Sequence, residues 1–226
     1  MSNPTPIYNL EINDALERLQ SSHKGLSKSV AHTRLTQYGA NELTSRRTSW
    51  LKRLLEPFAS YFAMVIVVAA LLSLYERKWF EAIIISVIII INALIYYFQQ
   101  FSVSRVLKTL RSQDKQSVNV IRDGQELTVA SEKLVPGDIV HVHEGIKVPA
   151  DGRLIDVSHL QADESLLTGE SLPIHKQASA IVGNQEVYDQ KNMLFKGTYV
   201  RAGTGILLIT KTGNSTQLGT INTLAA

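Results

Sequence analysis

An apolar stretch between residues 58 and 101, broken only once, constrains this chain more than any other feature. Residues 58–75 read FASYFAMVIVVAALLSLY and carry no charge, which is the length and composition needed to cross a bilayer. Glu76, Arg77 and Lys78 interrupt the run. A second run follows over residues 79–101, with Glu81 near its start and AIIISVIIIINALIYY at its middle. So short a break forces the two helices to be antiparallel neighbours. Arg46, Arg47, Lys52 and Arg53 precede the first, and Arg105, Lys108, Arg111 and Lys115 follow the second. The positive-inside rule therefore places both ends in the cytoplasm, and Trp79, Phe80, Tyr96 and Tyr97 stand where interfacial aromatics belong. The competing arrangement is a buried hairpin of a soluble protein, which these lengths disfavour. Glu81 lies within a turn of the outer interface and can reach headgroups. Asn92, deep in the second helix, can hydrogen-bond a neighbouring helix, so neither is read as a transport ligand.

The flanks are ordinary globular sequence. A net charge of +3, with 23 Lys and Arg against 20 Asp and Glu, gives no case for nucleic acid as a partner. The chain has no Cys, which rules out disulfides and thiolate metal sites and argues against a soft-metal carrier. Residues 1–10 are polar, contain Pro4 and Pro6, and do not resemble a signal peptide, so a cytoplasmic N-terminus is expected.

Before the hairpin, a short helix over residues 12–19 has Leu16 and Leu19 as its apolar face. A second helix opens with Ser27 as cap, carries Val30, Arg34, Leu35 and Tyr38 at helical spacing, and stops at Gly39. Together they predict a small helical piece that packs onto something larger. After the hairpin a polar stalk runs over residues 102–113, and the period then changes to alternation. Residues 118–122 and 126–130 flank Asp123-Gly124, a hairpin-turn signal. Further strands are predicted at residues 139–143, 153–157, 193–200 and 205–210, with turns at 136–138 and 149–152 and a break at Arg201-Ala202-Gly203. Many short strands with regular turns predict an all-β domain of barrel or distorted jelly-roll type. A helix is expected to begin at Ser215, with Leu218 and Ile221 on one face.

The chemistry points to residues 163–173, reading DESLLTGESLP. Gly169 lets the backbone approach another group closely, and the adjacent Glu170 can accept a proton from water and aim it at an electrophile. His141 and His143 alternate along one strand and are read as its solvated side, since no third metal ligand is near in sequence. His159 and His175 flank the acidic loop without a spacing partner.

From residue 25 onward these segments resemble one family closely, the P-type cation-transporting ATPases, and within it the calcium-pump-like branch. GLSKSVAHTRLTQYGANEL is similar to the family's cytoplasmic N-terminal segment, and the hairpin, with Trp79 and Asn92-Ala93, to its first two transmembrane helices. VIRDGQ, LVPGDIV, VPADGRLI, DESLLTGESLP, LFKGTYVRAGTG and TGNSTQLGTI follow in the order and spacing of its actuator domain. The ordered series is specific where a lone TGES is weak.

The resemblance implies a membrane α-helical hairpin plus an all-β actuator domain and a small helical N-terminal segment. The corresponding domains are residues 1–52, 53–115, 116–214 and the start of a stalk helix at 215–226. It implies that Glu170 positions water for attack on an aspartyl phosphate, that Gly169 keeps the loop thin, and that Thr168 and Ser171 fix it by hydrogen bonds. The turn at Pro136, Gly137 and Asp138 is assigned a structural role. The 226 residues contain no DKTGT-like segment, nucleotide-binding domain, Mg-binding hinge or later helices, and the stalk departs from the family's acidic and Arg-bearing pattern. ATP and Mg would thus belong to the complete pump and no cofactor to this chain. By itself the chain is expected to be inactive in ATP hydrolysis. Its expected surroundings are a lipid bilayer, plasma or inner membrane, together with the missing phosphorylation and nucleotide-binding domains and later helices. Because the last helix stops soon after it starts, a truncated, split or fragmentary pump is expected. The alternative is a stand-alone, non-catalytic membrane protein that uses an actuator-like domain for binding or regulation.

Overall fold

The structure, a computed structural model, describes residues 5–43, 56–58, 61–113, 116–169 and 172–224. Its chain forms two compact units, Met1–Ser45 with Lys115–Ala226, and Arg46–Asp114.

The first unit is built on a seven-stranded sheet whose pairs are all antiparallel. Strands β1 (Ser117–Arg122) and β2 (Gln125–Ala130) form the predicted hairpin. Asp123 and Gly124 both have positive φ, 52° and 72°, as a two-residue turn that follows the strand twist requires. Strands β3 (Ile139–His143), β4 (Asp151–Asp163), β5 (Ile174–His175), β6 (Met193–Leu194) and β7 (Tyr199–Lys211) complete it. The path runs β2-β1-β3-β7-β4-β5, with β6 on β4. Among the described residues β2 and β5 stand at opposite ends of this path, and every named strand pair is antiparallel.

Three strand expectations need correction. The strand expected over residues 193–200 is split between β6 and the start of β7, β4 continues well past residue 157, and β7 is unbroken across Arg201-Ala202-Gly203. β4 and β7 pair along their length with repeated register shifts, which put polar residues where alternation demands apolar ones. Gly203 makes the close crossing possible. Its φ is 77°, and a Cβ there would lie 2.4 Å from the carbonyl oxygens of Ser158 and His159.

One face of the sheet buries Val118, Val120, Val140, Val142, Leu154, Leu207 and Ile209. The other carries Ile139, Ile155 and Leu208, covered by Ala15 and Leu16 of helix α1 (Ile12–Arg18). Burying a Leu such as Leu16 or Leu208 contributes about 2 kcal/mol. The N-terminal helix thus closes the second core. Helix α2 (Lys28–Tyr38) starts as the sequence predicts, with the Ser27 hydroxyl accepting from the Val30 N–H at 3.2 Å. Its buried face differs from the expected one. Ala31 and Leu35, one turn apart, pack with Leu26 and Val135, while Val30 and Tyr38 are exposed. A small residue lets the helix sit close, and hydrophobicity alone did not mark it.

The second unit contains a 3-10 turn at Glu56–Phe58, helix α3 (Tyr61–Tyr75) and helix α4 (Trp79–Gln113). The helices pack on each other across the turn at residues 76–78. Among the described residues their buried side chains are Ala70 and Ala82, small groups that permit close approach. Among the described residues α4 is the one helix long and apolar enough to span a membrane, over Trp79–Gln99. Helix α3, at 15 residues, reaches only about 22 Å, short of a hydrocarbon core of about 30 Å. Of the expected first span over residues 58–75, Tyr61–Tyr75 is helical, Phe58 ends the 3-10 turn, and residues 59–60 lie outside the described ones.

Candidate functional site

β4 ends at Asp163, and β5 folds back beside it through Gln161↔His175 and Ala162↔Ile174. The β4–β5 pairing thereby closes the base of the connection between the two strands. Each of the first residues has a distinct task. The Asp163 carboxylate accepts the Ser165 N–H at 3.1 Å and the Arg201 Nη2 at 2.5 Å and Nε at 3.0 Å. Bonding to Ser165 and the Arg201 guanidinium holds the Asp163 carboxyl down to about 2.

Glu164 turns the other way. It is buried, and its carboxylate lies 2.5 Å from Nζ of Lys176, itself buried. Burial pushes the Glu164 carboxyl up and the Lys176 ammonium down, each opposed by the other's charge. The Lys176 Nζ also stands 5.9 Å from the centroid of the Phe195 ring. The Glu164 carbonyl accepts from the Leu167 N–H at 2.8 Å, the Thr168 N–H at 3.0 Å and the Thr168 hydroxyl at 3.2 Å. These bonds build the single turn α5 (Ser165–Thr168), which sequence analysis did not foresee. Gly169 ends it in the left-handed conformation, φ 76°, with its N–H on the Ser165 carbonyl at 2.9 Å. Within this chain a Cβ on Gly169 would meet nothing within 4 Å, and the positive φ of 76° is what favours glycine at the turn.

Of the predicted site residues, Thr168 and Gly169 thus sit together at the outer end of α5. Glu170 and Ser171 lie outside the described residues. The description resumes at Leu172, which is 80% exposed. His143, His159 and His175 are exposed, and His141 is half-buried.

Other motifs in the same series converge on a buried polar clasp. Asn41 donates to the carbonyls of Ser131 at 3.0 Å and Pro149 at 2.9 Å. Its Oδ1 accepts from Lys196 Nζ at 2.7 Å and the Gly213 N–H at 2.9 Å. Asp151 accepts the Lys196 N–H at 2.8 Å and the Gln217 N–H at 2.7 Å, the latter at the start of helix α6 (Gln217–Leu224). Burial pushes the Asp151 carboxyl up and takes the Lys196 ammonium down to about 8. Asp138, fully buried, accepts Arg122 Nε at 2.8 Å and Nη2 at 2.6 Å together with the Val135 N–H at 2.9 Å. Arg34 and Ser21 bond the carbonyls of Pro136 and Gly137, both at 2.6 Å. The N-terminal segment is thus tied to the sheet by polar staples as well as by Leu16.

The strand topology, the stapled N-terminal helices and the outward loop define a class, and comparison with known proteins gives the same one. Residues 112–226 match the family described as the P-type ATPase actuator domain, and residues 7–73 match the cation transporter/ATPase N-terminus. The chain belongs to the P-type ATPase family. It is 37% identical over 207 residues to the calcium-transporting ATPase 1 of Bacillus cereus, covering 88% of this chain and 23% of that protein. It is 36% identical over 226 residues to a probable cation-transporting ATPase F of Mycobacterium tuberculosis, covering 99% of this chain and 25% of that protein. A sodium/potassium exporting P-type ATPase of Schizosaccharomyces pombe is 34% identical over 222 residues, 96% of this chain and 21% of that protein. The chain spans about a quarter of the length of the curated relatives it matches.

Proposed function

We propose that this chain is the actuator part of an ATP-driven cation pump of the calcium-pump-like branch, and that Glu170 ends the phosphoenzyme state. The observation that carries the reading is the construction of the loop. Two charged residues lock its base, one turn of helix carries it outward, and Glu170 follows directly after the left-handed exit at Gly169. In the proposed step the Glu170 carboxylate accepts a proton from water as the water oxygen attacks phosphorus of an aspartyl phosphate. The bond from phosphorus to the aspartyl oxygen breaks, which releases inorganic phosphate and the free carboxylate. Thr168 supports the turn through its bond to Glu164, and Ser171 is assigned the same task. Among the described residues no group of three or more acidic, His or Cys side chains could hold a metal, and ATP and Mg are assigned to other parts of the pump.

Helices α3 and α4 are read as the first two spans, with both their outer ends in the cytoplasm. Over Trp79–Gln99 the apolar side chains of α4 support this, since among them only Ala82 is buried, unlike those of a core helix of a soluble protein. The chain's partners would then be lipid, the phosphorylation and nucleotide-binding domains, and the later helices. Relatives named for calcium and for sodium and potassium match alike, so the transported ion is left unassigned.

The test is a chimaera in which this chain replaces the matching quarter of the Bacillus cereus calcium-transporting ATPase. Glu170→Ala should leave phosphoenzyme formation intact and slow its decay by about 100-fold or more. Unchanged decay would end this assignment of Glu170.

A further inference from the structure

We infer that the buried Glu164–Lys176 bridge is the positioning element of the loop, setting the direction in which residues 165–169 leave the sheet. The consequence for catalysis rests on the reading of Glu170 given above; the structural consequence does not.

Three observations support it. The pair brackets the loop, with Glu164 directly after β4 and Lys176 directly after β5. The β4–β5 ladder between them is only Gln161↔His175 and Ala162↔Ile174, too short to fix an angle by itself. The Glu164 carbonyl also accepts three of the bonds that build α5, from Leu167 and from both donors of Thr168, beside the Asp163 carboxylate on the Ser165 N–H. Any rotation of Glu164 therefore turns the whole segment up to Gly169. Lys176 is in turn fixed by its N–H on the Leu160 carbonyl at 2.9 Å and by the Phe195 ring.

Stability alone does not require a charged pair here. Apolar side chains of similar size fill a buried site without the desolvation cost of two ions, and are often as stable or more so. They give no preferred separation, because hydrophobic contact is non-directional, whereas the ion pair holds one Glu164 oxygen and Lys176 Nζ at 2.5 Å across the base of the loop. The bridge thus supplies geometry that an apolar pair of equal stability would lack.

The experiment uses the whole chain in detergent micelles. The chain has no Cys, so Leu172→Cys and Glu126→Cys accept one spin label each, on the exposed loop and on the far edge strand β2. The distance distribution between them is measured with the bridge intact, with Glu164→Met and Lys176→Met together, and with the pair exchanged (Glu164→Lys with Lys176→Glu). The double Met variant should melt close to the parent but show a distribution at least twofold broader or displaced, and the exchanged pair should narrow it again. A double Met distribution matching the parent's would overturn the inference.

In the chimaera the double Met variant should slow phosphoenzyme decay at least tenfold, with rescue by the exchanged pair. Normal decay there, where Glu170→Gln is slow, would also overturn it. If Glu170→Gln is itself without effect while the distribution broadens, the role of Glu170 fails and the bridge stands.

Discussion

Two polar clusters in the sheet unit are built from the same kinds of residue and do opposite things. The clasp around Asn41, Asp151 and Lys196 turns its polar groups inward and matches nearly every donor to an acceptor. At the base of the other motif one inward pair, Glu164 with Lys176, stands beside a turn of helix over residues 165–168 that contributes no buried side chain. Their difference teaches how to separate building motifs from working ones in an ordered series of polar signatures. In the clasp the polar atoms are consumed by the fold. In the loop only the base is consumed, and Gly169 exits into open space.

The sharpest way to break this comparison is to remove one partner of the loop's buried pair. Lys176→Met leaves the Glu164 carboxylate uncompensated and should cost about 3–5 kcal/mol, read from denaturant unfolding. A loss below 1 kcal/mol would mean the pair is solvated and the loop base is not locked. Next comes Asn41→Ala, which takes their side-chain partner from the Gly213 N–H and the Pro149 carbonyl and leaves Lys196 Nζ only the backbone carbonyl of residue 41. It should cost about 3 kcal/mol, yet leave phosphoenzyme decay in the chimaera within twofold. Slowed decay at undiminished stability would move Asn41 from the building class to the working one.

A smaller effect concerns pH. The folded-state pKa of Lys196 lies at about 8, below the ordinary lysine value of about 10.4, so the unfolded chain holds the proton more tightly. Stability should therefore rise with pH between about 8 and 10.4, and Lys196→Met should abolish that rise in paired unfolding curves. The smallest effect is at Asp163, whose carboxyl is held down to about 2. Its contribution is present above the unfolded value of about 4 and is lost as pH falls through about 2. Arg201→Ala should move the Asp163 titration, followed by NMR, upward, and an unmoved titration would show that the Arg201 contact is not formed in solution.

Much of this was legible in the sequence because it depends on local rules. The β1–β2 hairpin follows from Asp123-Gly124, the α2 cap from Ser27, and β3 from strict alternation. The full length of β4 was not legible, since its register shifts place Asp156, Ser158 and His159 inside a strand. Nor was the apolar face of α2, where Ala31 does the packing that Val30 and Tyr38 were expected to do. At the site, the Thr168-Gly169-Glu170-Ser171 signature stood out in sequence, but the means of holding it did not. Sequence analysis did not single out Glu164 or Lys176, because burial of an ion pair is decided by the sheet closing around it. Their only sequence signal is opposite charges placed directly after the two strands that close the loop. Asn41 and Asp151 were hidden for the same reason, their partners being remote in sequence.

The most direct test of the central claim exploits the absence of Cys, through Glu170→Cys as a lone thiol reacted with a bulky charged thiol reagent. The account predicts modification of this chain alone within about tenfold of a free peptide thiol, since an exposed thiol titrates and reacts normally. It predicts at least tenfold slower reaction in the chimaera trapped with a phosphate analogue, where the tip meets its target. Slow reaction in the isolated chain, or equal rates in both, would contradict it.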